Sequence, residues 1–294
     1  GSAAVVTLPP KKVDVRTLTL SGSDDGLRKM LEWEAESYLH FEVQKASIDY
    51  VKLGDVTVGN EKRAEVLVAA ASKSYISALL DFTAKAGLDV TAVDIVPMAL
   101  CRLAALITGS TGDPAVGIID IGRDSTVTVI LNNGDLRLTR TSPRGGAAIT
   151  AKIKASLEIS EEEAELLKME YGVGAPTGGT SFGVDRDLVT KTDIAGTLHE
   201  ILRPDLEEIA ADLQKLFRYF ASQAKGAQPA RVWLCGGGGK LKGLDAFLSE
   251  QTRTTVEMLP AIDSLFTGGV TLPQPCGPEF AVAAGLALRE EKEG

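Results

Sequence analysis

Asp120 stands in an apolar string, Ile118-Ile119-Asp120-Ile121-Gly122-Arg123-Asp124-Ser125-Thr126, that reads as a buried strand, a turn and a second strand. A carboxylate at a strand end can hold a magnesium ion through water, and the following glycine and backbone N–H groups admit phosphate oxygens with no side chain in the way. An ordinary strand end before a hairpin accounts for the same string. Pro143-Arg144-Gly145-Gly146 leads straight into a helical pattern. Glycines there can expose backbone donors at the positive end of a helix dipole, where anions bind, or can simply form the tight turn that starts the helix. Glu165 and Lys168 lie three apart on one helix face, and such pairs default to a surface contact worth a few tenths of a kcal/mol. The alternative is contact with the ribose and base of a nucleotide.

A fourth string, Trp233-Leu234-Cys235-Gly236-Gly237-Gly238-Gly239-Lys240, is an apolar strand opening into four glycines. A simple turn needs one or two, and each further glycine costs conformational entropy on folding, so the run points to close backbone approach by a ligand. It is not a Walker A loop, since Lys240 lacks a following Ser or Thr, nor the first turn of a dinucleotide-binding unit, since it lies late in the chain.

What is missing narrows the chemistry. His40 and His199 have no nucleophile or acidic orienter near them in sequence, which argues against a hydrolase triad and reads them as surface residues. Cys101, Cys235 and Cys276 have no metal-ligand spacing and read as buried thiols in a reducing cytosol. The glutamates at 161–163 and 290–293 read as a solvated face and a solvated tail. A net charge of -9 over 294 residues, with no basic cluster on one face, argues against nucleic acid. No apolar run reaches the roughly 18 residues of a membrane span.

The elements that must position these strings follow from periodicity. Residues 4–8 form a short strand stopped by Pro9 and Pro10, one that needs partners from elsewhere in the chain. Residues 13–95 give the order β-α-β-β-α-β, with Ser23 or Asp24 capping the first helix and a turn at Gly59 and Asn60, which predicts a split βαβ or ferredoxin-like unit. A helix over 97–107 and a linker-like stretch at 109–113 precede strands at 115–121, 126–131 and 136–141. Helices follow over 146–157, 160–171 and 204–224, with a glycine-rich loop at 172–183 between the last two. A strand at 232–235, a helix at 244–251, a strand at 255–259 and a last helix at 279–289 complete the order of a mixed-sheet α/β protein.

That order of strings, ending in the Ala- and Gly-rich helix at 281–288, resembles the actin-like ATPase superfamily, whose lobes are ribonuclease H-like. Leu31-Glu32-Trp33-Glu34-Ala35-Glu36-Ser37-Tyr38 with Ile48-Asp49-Tyr50, and Ala86-Gly87-Leu88-Asp89-Val90 with Val93-Asp94-Ile95-Val96-Pro97, resemble the small inserted domain of the PilM family of type IV pilus assembly, a relation of FtsA. The resemblance implies a remnant of the first lobe at 1–12, an inserted βαββαβ subdomain at 13–95 and a connecting helix at 96–113. It further implies a second nucleotide-binding lobe with a helical subdomain at 114–270, and a C-terminal helix returning to the first lobe at 271–294. The family's early Asp-x-Gly phosphate hairpin has no counterpart here, so the first lobe is expected to be incomplete at the N-terminus.

By position, the resemblance puts Asp120 toward magnesium and Gly122, Ser125 and Thr126 at phosphates. Gly145 and Gly146 fall near the nucleotide, Glu165 and Lys168 near its ribose and base, and Gly236, Gly237 and Gly238 against the adenosine. The implied function is a cytoplasmic scaffold, peripheral to the inner membrane through its partner, that binds ATP or ADP with magnesium as a conformational ligand. Its implied partners are the cytoplasmic N-terminal peptide of a PilN-like membrane protein, bound in a groove beside the inserted subdomain, and the pilus motor components. The alternatives on the same fold are an active ATPase or kinase, the cytoplasmic domain of a type II secretion protein, and an FtsA-like division protein.

Overall fold

The computed structural model describes residues 3–21, 24–37, 39, 41–173, 191–265 and 276–289. Ser23, Tyr38, His40, the tail at 290–293 and nearly all of the expected loop at 172–183 lie outside them. In chain order the elements are β1 (Ala3–Leu8), β2 (Val13–Leu20), α1 (Asp24–Glu36), β3 (Ala46–Val58), β4 (Glu61–Ser72), α2 (Lys73–Lys85), β5 (Asp89–Ile95) and α3 (Val96–Thr111). There follow β6 (Ala115–Ile121), β7 (Thr126–Asn132), β8 (Asp135–Ser142), α4 (Gly146–Leu157), α5 (Glu161–Tyr171) and α6 (Lys191–Gln223). The last are β9 (Arg231–Cys235), α7 (Leu244–Thr252), β10 (Thr255–Met258), α8 (Ile262–Leu265) and α9 (Ala281–Ala287).

The larger sheet has the order β10-β9-β6-β7-β8. β6, β7 and β8 run as an antiparallel meander, with β9 parallel to β6 and β10 parallel to β9. Its strands are apolar on both faces because both are covered. Ile119, Ile121, Ile130 and Leu234 pack under α4, α5, α6 and α7. The alternate residues Val116, Ile118, Val129 and Trp233 pack under α3 and α9. Gly112 ends α3 at φ 71, the left-handed conformation that caps many helices. α5 opens with a reciprocal capping box between Ser160 and Glu163.

The inserted unit departs from its expected pairing. β2, β4 and β3 form a three-stranded antiparallel sheet, with α1 packed on it through Leu31 against Leu20, Val66 and Val68. β5, the sixth element of the predicted βαββαβ unit, does not join this sheet and pairs in parallel with β1 from Ala3↔Asp89 to Leu8↔Ile95. β1 has backbone donors and acceptors to satisfy, and β5, delivered beside it by α2, supplies them. The ferredoxin-like reading of residues 13–95 is therefore corrected to a β-α-β-β insert, with β5 beside β1 and α3 and with α2 packed between β4 and β5.

Two smaller corrections concern α6. The helix spans Lys191–Gln223 with Pro204 inside it, where the sequence suggested a start. His199, read as a surface residue, is buried on that helix with Nδ1 3.2 Å from the Val173 carbonyl. Of the three thiols, Cys101 and Cys235 are buried and Cys276 is partly exposed.

Candidate functional site

β6 and β9 run side by side, with Asp120 opposite Cys235, so the chain leaves the sheet through two adjacent turns. After β6, Gly122 N–H donates to the Ser125 carbonyl at 2.9 Å and closes the hairpin turn. The carbonyls of Gly122 and Arg123 then accept from Gly146 N–H at 2.9 Å and Ala147 N–H at 2.8 Å. These first donors of α4 are spent inside the protein, so the expectation that they face an anion is not met. Gly145 is required sterically, since a Cβ there would run into the carbonyl oxygens of Gly122 and Arg123.

The glycine run after β9 divides by residue. Gly236 has φ +81, its N–H donates to the Pro278 carbonyl at 3.0 Å, and a Cβ would collide with Asp120 Oδ1 and the Ile121 carbonyl. At Gly238 a Cβ would lie 2.5 Å from Ile121 Cγ2, and at Gly239 it would lie 3.2 Å from Leu234 Cγ. Packing against β6 and β9 thus accounts for three of the glycines. Gly237 alone of the four faces open space.

Glu165 and Lys168 form part of a polar knot, not a loose surface pair. Lys168 Nζ donates to Glu165 Oε2 at 2.6 Å, to Thr150 Oγ1 at 2.9 Å and to the Gly146 carbonyl at 3.4 Å. Thr150 in turn donates to Glu165 Oε2 at 2.6 Å. The Lys168 side chain is only 11% exposed. Burial acts to raise the Glu165 pKa, but hydrogen bonds from Lys168 and Thr150, with the charges of Lys168 and Arg123, outweigh it and hold the carboxyl below its ordinary value.

These parts enclose a cavity of about 590 Å³, within the range of small-molecule sites. Gly122, Gly146, Glu165, Lys168, Gly237 and Gly238 line it. Thr150, Arg123 and Glu279 also line it and were not singled out from sequence. Glu279 pairs with Lys240 at 3.2 Å across the mouth. Thr150 was legible only as one turn beyond Gly146 on the face that Lys168 meets.

Asp120, Ser125, Thr126, Gly145 and Gly236 do not line the cavity. Ser125 and Thr126 are buried, and Thr126 Oγ1 donates to the Arg144 carbonyl at 2.8 Å, because β7 begins there and turns Thr126 toward α6. Asp120 lies under Gly236, and desolvation pushes its pKa up from 3.8 to about 6. Burial, and secondarily the charge of Asp120, raises the neighbouring Cys235 thiol. Among the described residues no group of three or more His, Cys, Asp or Glu side chains is placed to hold a metal ion.

A second recess, about 870 Å³, lies between the inserted sheet and the elements around β5. Val13, Val51, Leu67 and Ala69 come from β2, β3 and β4, and Leu8, Ile95, Met98 and Leu288 from the opposite wall. Its charged lining is Asp49, Asp94, Arg102 and Arg289. Among the described residues no helix is long and apolar enough to cross a membrane.

Comparison with known proteins places this architecture. The family described as type IV pilus assembly protein PilM matches residues 2–176, and that of cell division protein FtsA matches residues 117–285. Among solved structures, the PilM-PilN type IV pilus biogenesis complex superposes with a TM-score of 0.76 at 25% identity, covering 97% of this chain and 79% of that one. MreB5 of Spiroplasma citri bound to AMPPNP shares the fold, with a TM-score of 0.50 at 16% identity over 74% of this chain and 64% of that one. FtsA of Bacillus subtilis is 36% identical over 101 residues, 34% of this chain and 22% of the relative. FtsA of Enterococcus faecalis is 27% identical over 193 residues, 63% of this chain and 42% of the relative. The chain thus spans less than half the length of these two curated relatives. It belongs to the PilM family of type IV pilus assembly proteins, within the actin-like ATPase superfamily that includes FtsA.

Proposed function

We propose that this actin-like pilus assembly protein is a scaffold that holds an adenine nucleotide, ATP or ADP, as a conformational ligand and recruits the N-terminal peptide of a PilN-like membrane protein. The observation that carries the reading is the pairing of two unlike recesses in one chain. The cavity behind the glycine run sets the Lys168–Glu165–Thr150 knot into a lining that is otherwise largely apolar, and Gly237 opens it. The recess beside the insert combines apolar side chains from both walls with the Asp94, Arg102 and Arg289 cluster, a mixture that suits a docked peptide. The likeness to a PilM-PilN complex supports the second assignment.

Within the cavity, Lys168 and Glu165 are placed to exchange their mutual hydrogen bonds for ribose hydroxyls, and Gly237 leaves room for the flat face of a base. Magnesium fits less well. Its expected ligand, Asp120, lies outside the cavity lining with a desolvated carboxyl, and no cluster of acidic groups joins it among the described residues. No step through the metal is therefore assigned to this chain. Nucleotide acts by binding two lobe arrangements unequally, and the peptide anchors the protein at the cytoplasmic side of the inner membrane, where motor components are engaged.

The test is calorimetry of the intact chain with a PilN-like N-terminal peptide, alongside mass spectrometry of the denatured protein for co-purified nucleotide. Saturable peptide binding and a bound adenine nucleotide are expected. No heat with the peptide would remove the recruitment role.

A further inference from the structure

The groove carries one charged cluster, and its two arginines are used unequally. Asp94 is 5% exposed and its acceptors are engaged: Oδ1 takes the Ile95 N–H at 2.7 Å, and Oδ2 takes Arg102 Nη2 at 2.5 Å and Arg289 Nη1 at 2.8 Å. Arg102, 22% exposed, also gives its Nε–H to the Gly285 carbonyl at 2.9 Å, which fixes both ends of its guanidinium. Arg289 is 37% exposed and its side chain makes a single bond, to Asp94, among the described residues.

Two guanidiniums share one carboxylate, so Arg289 keeps N–H donors that Asp94 does not use, although with Asp49 the charged lining of the recess is neutral in sum. Asp49, on the insert wall, forms no ion pair with either arginine, and its Oδ1 takes the Tyr50 N–H at 2.9 Å. Leu8, Val93, Met98 and Leu288 lie nearby in the lining, so a docked apolar segment would cover the partly exposed Arg289 and strengthen a charge-assisted bond formed there. A guanidinium has five N–H donors in a rigid fork that matches a carboxylate. Arg289 presents the remainder of its fork from the end of the chain segment that follows α9.

Resting on the reading of this recess as the partner groove, we infer that Arg289 is the specificity-determining residue of the groove: it receives a carboxylate carried by an otherwise apolar docked segment. Arg102 is the positioning residue that holds Asp94 and, through it, the orientation of Arg289. An apolar segment with a lysine at that place is excluded by like charge, and one with an amide binds without the ionic contribution.

The experiment is calorimetric titration of the intact chain with the PilN-like N-terminal peptide and with the same peptide whose carboxylates are replaced one at a time by their amides. Arg289→Gln and Arg289→Lys variants are measured beside the unmodified chain, with thermal melts to confirm folding. Arg289→Gln is expected to weaken the native peptide by about tenfold or more, and Arg289→Lys to recover part of that loss. One amide-substituted peptide should bind the unmodified chain as weakly as it binds Arg289→Gln, because the two changes remove the same contact.

Tight binding of the native peptide to Arg289→Gln, within a factor of two of the unmodified chain, overturns the inference and leaves the groove reading intact. So does an equal loss for every peptide, which marks Arg289 as merely structural. Failure of the unmodified chain to bind any of them overturns the groove reading itself, and this inference with it.

Discussion

The two recesses solve opposite problems. In the cavity behind β6 and β9 the polar groups are largely paired within the protein before a ligand arrives: Lys168 with Glu165 and Thr150, Lys240 with Glu279, and the first α4 donors with the turn at residues 122–123. The groove beside the insert mixes apolar wall with polar and charged side chains, and its charged cluster ends in an arginine with donors to spare. A ligand in the cavity gains only by exchanging existing hydrogen bonds, which favours discrimination by shape and pairing pattern. A ligand in the groove gains by covering apolar surface, which favours affinity.

The glycine run gives the strongest way to break this comparison. If Gly236 serves the sheet and Gly237 serves the cavity, their alanine variants part company. Gly236→Ala forces a side chain into Asp120 Oδ1 and the Ile121 carbonyl at φ +81, and is expected to cost about 3 kcal/mol of stability. Gly237→Ala meets nothing within 4 Å, should stay within about 0.5 kcal/mol in urea unfolding, and should weaken nucleotide binding by filling the cavity. Equal costs for the two would falsify the division of the run.

Asp120 sharpens the comparison from beneath the cavity. Its pKa is raised from 3.8 to about 6 by desolvation, so the folded state holds the proton more tightly than the unfolded chain does. Stability contributed by this group therefore falls as pH rises from about 4 to about 6 and is level above that. Asp120→Asn removes the penalty and is expected to stabilise the protein by about 2 kcal/mol near pH 7.5 and hardly at all near pH 4. Urea titrations at the two pH values check this, and an unchanged midpoint near pH 7.5 would show that some group offsets the burial.

The cavity was far more legible in the sequence than the groove, for a physical reason. Gly146 and Gly237 sit at element ends, where glycine is conspicuous, and Glu165 and Lys168 form a charge pair three apart within α5 that stands out against apolar periodicity. The groove draws single residues from Leu8, Val13, Val51, Met98 and Arg289, and an apolar residue facing a groove has the same local pattern as one facing the core. The same limit governs β5. Its alternation marks a strand but does not say whether β1 or β2 is its neighbour, and only the packed structure chooses. The resemblance carries Asp120 to the metal and Ser125 and Thr126 to phosphates by position alone, and a strand–turn–strand string shows where a turn is, not which side of it faces the cavity. His199 was misread for a related reason, since its helix was expected to start only at Pro204 and its burial under Val173 depends on the turns before that residue.

A middle-sized effect tests whether the two recesses are chemically independent. Lys168→Met removes three hydrogen bonds from the cavity wall while keeping the length of the side chain. Nucleotide binding is expected to weaken by about tenfold, with peptide affinity in the absence of nucleotide unchanged. Calorimetry with each ligand alone separates the two. A matching loss of peptide affinity would show that the substitution disturbs the whole protein and not the cavity wall.

The smallest expected effect is a coupling between the recesses, because one short segment reaches both. The Pro278 carbonyl takes the Gly236 N–H at 3.0 Å, and Glu279 lines the cavity. α9 then packs on α3 so closely that a Cβ on Gly285 would strike the Ala99 carbonyl. Past the helix, Leu288 and Arg289 line the groove, and Arg289 holds Asp94. A shift of this segment at its cavity end is transmitted to the groove because the contact with α3 leaves no space to absorb it. Saturating ADP is therefore expected to change peptide affinity by a few-fold, about 1 kcal/mol of coupling, and the peptide must change ADP affinity by the same factor. Glu279→Gln, which weakens the pair with Lys240 at the cavity end, should reduce that factor with little effect on peptide affinity measured without nucleotide. Equal peptide affinities with and without ADP would show that α9 only packs the two regions together.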